Sequence, residues 1–207
     1  MTTQTPHSAA ADLDYALKLA REGREGPLLG GPIGLMWGVL ITLTFGIQYL
    51  ILERILDVPL GFLGLLWIAF AVVGGLGVFI LGRRQETHSR ADNLNNRVES
   101  HVWIMFTAAA AALVTGVMAN QIFSGGDARL WDFVLVFGFA GQALAYGVVA
   151  RLTGLGWVAF ASVAAAAFAI LSMAVYGSHT IYLVGAIGAL VAIVIPSLIS
   201  ISKAKRP

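Results

Sequence analysis

The chain has 207 residues, no cysteine, a net charge of +2, and only 12% charged residues against 58% hydrophobic ones. A mean hydropathy of +0.82 excludes an ordinary water-soluble domain, and the missing thiols remove disulfides, thiol nucleophiles and thiolate metal sites. The pI near 9.2 does not point to nucleic acid, because the basic residues border apolar runs, where orientation and anionic headgroups account for them.

The head, residues 1–28, is read as cytoplasmic. Its first eleven residues are polar and lack a basic n-region, so no cleavable signal is expected. Leu13, Ala16, Leu17 and Ala20 recur at i, i+3, i+4 and i+7, with Asp12 and Asp14 before Lys18 and Arg21, and Gly23, Gly26 and Pro27 following. That order predicts an amphipathic helix over about 12–23, with charges that complement its dipole and glycines that end it. Two placements stay open: flat at the headgroups, or packed against the bundle.

Six apolar runs follow, at about 31–52, 60–82, 102–123, 131–150, 154–176 and 180–201. A bilayer core about 30 Å thick needs roughly 20 helical residues to cross it, so each run is long enough. Glu53, Arg54, Asp57 and Pro59 separate the first two. Between the fourth and fifth only Arg151-Leu152-Thr153-Gly154 intervenes; one helix through both would be roughly 69 Å long, which predicts a hairpin at Arg151 instead. The fold class expected is all-α: a polytopic membrane protein with six transmembrane helices in a bundle over 29–202, and a tail at 203–207.

Charge placement orients this bundle. With both ends inside, the inner side receives Lys18, Arg21, Arg24, Arg83, Arg84, Arg90, Arg97, Arg151, Lys203, Lys205 and Arg206, and the outer side only Arg54 and Arg129. Cytoplasmic excess of Lys and Arg in short loops sets orientation, so both termini are placed in the cytoplasm. Trp103, Trp131, Tyr49, Tyr176 and Tyr182 lie near run ends, as an interfacial belt requires. Short loops with abundant Ala and Gly suggest a bacterial inner membrane.

Chemistry-bearing residues fall into three groups. The inner loop 83–101 has no Pro or Gly and is expected to continue the flanking spans as helix. It carries Glu86, His88, Asp92, Glu99 and His101. His88, Asp92 and His101 are its metal candidates, but there is no HExxH and the interleaved arginines repel a cation, so a solvated, salt-bridged surface is the expectation. The runs themselves are read as free of charged residues, which weighs against proton-coupled transport and voltage sensing. Their neutral polar groups are Gln48 and Tyr49 in the first, Asn120 and Gln121 in the third, and Gln142 in the fourth. These either line a small polar pocket as ligand-binding residues or bond helix to helix as packing glue.

Small residues form the third group. Ala108, Ala112, Gly116 and Asn120 recur every four residues in the third run, Gly34 and Gly38 make a GxxxG in the first, and alanines dominate 159–174. Such seams favour close helix packing, within the bundle or between copies. Pro196 predicts a kink near the inner end of the sixth run. Nucleophilic chemistry has little support. Ser124 and His179 share the outer face, yet an intramembrane GxSG, a phosphate-binding loop and facing haem histidines are all missing, so no cofactor is expected.

A non-catalytic scaffold, subunit or sensor accessory is the first expectation. Passage of a small neutral solute is the second, supported by the polar groups and by two three-span halves of opposite orientation. A membrane enzyme using the inner-loop groups is the third. The bilayer is the expected environment, and a second copy or another membrane protein the expected partner; no nucleic acid is expected.

Overall fold

The computed structural model describes residues 13–14, 31–86 and 94–204, and the head helix expected at 12–23 lies outside them apart from two positions. Helix α1 is Gly31–Leu52, α2 Phe62–Glu86, α3 Leu94–Ser124, α4 Leu130–Thr153 and α5 Gly156–Ala174. The sixth span is continuous: α6 (Thr180–Ala189), a π-helical turn (Leu190–Val194) and α7 (Ile195–Ala204). The protein is therefore all-helical among the described residues, with six helices long and apolar enough to cross a membrane. Alternating spans give two faces. The proximal face carries the start of α1 and the end of α7, and the distal face carries the loops after α1, α3 and α5.

Each break has a local cause. Helix α4 stops where Gly154 takes φ +68 and returns its N–H to the Ala150 carbonyl, a left-handed cap that costs glycine nothing. Thr153 reinforces it, donating to the Val149 carbonyl at 2.8 Å and accepting from the Leu155 N–H at 3.4 Å. The hairpin expected at Arg151 is thus present. The inner loop continues both flanking spans, with α2 helical to Glu86 and α3 from Leu94.

The helices pack in one order: α2 on α1, α1 on the sixth span, the sixth span on α5, α5 on α4 and α4 on α3. Four of these spans share a core. Leu135 and Phe139 of α4 and Ile181 of α6 are buried together, with Phe45 of α1, Phe168 of α5 and Tyr182 packed against them. Consecutive α2 and α3 have no comparable packing on each other. Only 6% of the apolar stretch is buried in α2 and in α3, against 56% in the sixth span. Leu65, Ile68 and Leu76 of α2 and Met105, Ile122 and Phe123 of α3 stand exposed. In water such faces would drive aggregation; lipid is the solvent that accommodates them.

The two small-residue seams behave differently. On α1, a Cβ at Gly34 would lie 2.6 Å from Ser197 Oγ, and one at Gly38 would lie 2.8 Å from Val194 Cγ2 and 3.1 Å from the Val194 backbone nitrogen. Gly31 continues that line against Ser200 and Ile201, so this seam is intramolecular. On α3, Ala108, Ala112, Gly116 and Asn120 are all exposed, and a Cβ at Gly116 meets nothing within 4 Å. That stripe packs on no described helix.

Pro196 produces a wider turn rather than a break. The Ile195 N–H bonds to the Leu190 carbonyl, five residues back. Proline has no N–H for the Ala192 carbonyl, and its ring clashes with that carbonyl in a regular helix. A π turn relieves the clash while the span continues. The widened turn is the part of the sixth span that meets Gly38.

Candidate functional site at the distal end of the core

The largest polar assembly in the described spans lies at the distal ends of α1, α2, α4 and α6. It centres on Asp132, the third residue of α4, which is 6% exposed. This corrects the expectation that the runs hold no charge: Asp132 lies within the run 131–150, between Trp131 and Phe133. Its position at a helix start is favourable for an anion, since the unpaired N–H groups and the dipole are positive there. The Tyr182 hydroxyl donates to Asp132 Oδ1 at 2.9 Å, and the Gly177 N–H donates to Oδ2 at 3.1 Å. Gly177 has φ +81, a conformation an L side chain adopts only with strain. Glycine there turns the loop so that its N–H reaches the carboxylate.

From Tyr182 the network continues outward. Gln48 of α1, 8% exposed, reaches the Tyr182 hydroxyl and accepts from Trp67 Nε1 of α2 at 3.0 Å. Trp67 in turn packs edge-on to Phe45 and Phe70. One line of contacts thus joins α2, α1, α6, α4 and the loop after α5. Two latches lie beside it. Tyr176 OH donates to the Arg129 carbonyl at 2.9 Å, and His179 Nδ1 lies 3.3 Å from Glu53 Oε1.

Other residues singled out in the sequence are dispersed. Tyr49 is half-buried on α1, whereas Asn120 is exposed and Gln121 half-buried on α3, a helix that does not pack on α1. The structure therefore does not bring the two pairs together. Gln142 is 8% exposed on α4, and its Oε1 has no partner. Gly34 and Gly38 join α1 to the sixth span; Ala108, Ala112 and Gly116 face outward. His88 and Asp92 lie outside the described residues. His101 is exposed on α3 with Nδ1 2.7 Å from the Arg97 carbonyl, and no group of three or more metal-capable side chains occurs among the described residues. Ser124 is exposed at the end of α3, while His179 is engaged by Glu53.

Chemically, the distal assembly holds one carboxylate against neutral donors and contains no paired nucleophile and base. It fastens helix ends. The signals for Asp132 and Tyr182 were in the sequence, as an acid inside a run and a tyrosine two residues into another, but nothing in spacing alone pairs positions fifty residues apart. Fold and site together define a multi-pass helical membrane protein. No family model, no curated protein and no solved structure matches the chain.

Proposed function

We propose that this protein is a non-catalytic module of a bacterial inner membrane, with both termini cytoplasmic, acting as a scaffold, subunit or sensor accessory. The observation that carries this reading is the internal closure of the distal polar network around Asp132 and Gln48. Gln48 is taken by Trp67 and Asp132 by Tyr182 and Gly177, and Ser162 donates to the Ala143 carbonyl at 2.6 Å. Meanwhile α2 and α3 present long apolar sides outward, as surfaces for lipid or another membrane protein.

Passage of a small neutral solute is the second reading, favoured by one feature: the buried, unpartnered Oε1 of Gln142. Proteoliposomes challenged with glycerol or urea separate the two. For a scaffold, Gln48→Leu lowers thermal stability while permeability stays at the protein-free level in every variant. Solute flux in the parent chain that disappears in Gln142→Leu, with unchanged melting, overturns the scaffold reading.

A further inference from the structure

We infer that α4 and the sixth span hold one small neutral hydrogen-bond donor, a water molecule, between the Gln142 side-chain oxygen and the backbone carbonyl of Val191. Two open acceptors meet there, each for its own reason. The first is Gln142 Oε1, on a side chain 8% exposed and without a partner. Gln142 is the thirteenth of the 24 residues of α4, so it lies at mid-span, where no bulk water satisfies an amide.

The second acceptor follows from the sequence of the sixth span. In a regular helix the Val191 carbonyl would accept from the Ile195 N–H, but that N–H bonds to Leu190. In the wider turn the donor would come from residue 196, which is proline and has none. Val191 thus loses both donors its own helix could supply. A backbone carbonyl inside a membrane is rarely left in that condition.

The fold brings the two acceptors together. Asp132 meets Tyr182, and Leu135 and Phe139 lie against Gly185 and Gly188, so α4 and the sixth span run in the same direction and in step. One turn further on, Gln142 comes level with Val191 and Ala192. Separate contacts agree: Ala143, the next residue of α4, and Val191 both pack on the cluster of Ala164, Ala165 and Ala192. Leu135 and Phe139 fill the space between the helices at their own levels, whereas alanines line the level of Gln142 and leave room for one water.

Chemistry selects the occupant. Two oxygen acceptors call for a molecule that donates twice, and a buried water needs two to four polar partners. A cation fits poorly, because two neutral oxygens replace little of its hydration and the carboxylate of α4, Asp132, is about 15 Å away along the axis. A held water gives Gln142 Oε1 a partner without any path across the membrane.

The test is NMR of the full-length protein in lipid nanodiscs, with magnetisation transferred from water to protein protons over short mixing times. In the parent chain, transfer to the Gln142 side-chain amide and to the Ile195 N–H should exceed that to the N–H of Ala161, which is fully buried in an apolar cluster. Gln142→Met, of similar length but without the amide, should abolish the transfer at Ile195. Pro196→Ala, which returns an N–H to the sixth span, should abolish it at Gln142. The variants alter different helices, so either one tests the site if the other does not fold. Parent transfer no higher than at Ala161, the result of a direct bond from the Gln142 amide to Val191, would overturn the inference. So would transfer that persists at Ile195 in Gln142→Met or at Gln142 in Pro196→Ala. Solute flux does not enter this readout, so the outcome is independent of the scaffold reading.

Discussion

Asp132 is stable in its position because three features converge on one carboxylate: a helix start, a hydroxyl from Tyr182 and an N–H that glycine alone delivers without strain. Removing it leaves the Tyr182 hydroxyl and the Gly177 N–H without their acceptor. Asp132→Ala should therefore lower stability by about 1–3 kcal/mol, the cost of orphaned buried polar groups, and Asp132→Asn, which keeps an acceptor, by less. Thermal unfolding in detergent reads both; equal effects would contradict the hydrogen-bond account. Gln48 and Trp67 give a second residue-level test. A double-mutant cycle with Gln48→Leu and Trp67→Phe should return a coupling of about 0.6 kcal/mol, typical of interhelical bonds in lipid. Zero coupling would mean that the 3.0 Å contact adds nothing to the joint between α1 and α2.

At the scale of elements, two glycine seams that look alike in sequence have opposite environments. Gly34 faces Ser197 so closely that a larger side chain must separate α1 from the sixth span, whereas Gly116 opens into free space. Gly34→Leu should destabilise the monomer by several kcal/mol, in the range of overpacked cores or above, while Gly116→Leu should change its melting by less than about 0.5 kcal/mol. A large loss in Gly116→Leu would show that α3 packs on its small-residue side. The motif was legible in both helices, but its partner was legible in neither. Small spacing states that a helix can approach closely; which helix approaches depends on contacts far apart in the chain. Pro196 illustrates the same limit. Its missing N–H was certain from sequence, but the π turn that accommodates it lies where the sixth span meets Gly38.

For the whole molecule, four spans share a core and two are held along one side only, so stability is distributed unevenly. Substitutions in the α1, α4, α5 and α6 core should unfold the protein more readily than matched ones on the outward faces of α2 and α3. Orientation is tested directly, because the native chain has no cysteine to interfere with labelling. With both termini inside, Asp127→Cys should react with a membrane-impermeant thiol reagent in intact cells, and Lys203→Cys only after lysis. The reverse pattern would invert the proposed topology without altering the fold.

The sequence by itself determined the number of spans, their limits to within a few residues, the hairpin at Arg151 and the continuation of α2 and α3 beyond the apolar runs. These follow from local quantities: about 20 apolar residues per crossing, and glycine, proline or charge where a helix must stop. Tertiary structure alone decided that α2 and α3 stay peripheral, that Gln48 faces Trp67 and Tyr182 rather than Asn120, and that Asp132 is closed by groups forty-five and fifty residues away. Periodicity records which residues share a helix face, and in lipid every face of a span is apolar. The choice among faces rests on shape and a few hydrogen bonds, which appear only when the helices are set side by side.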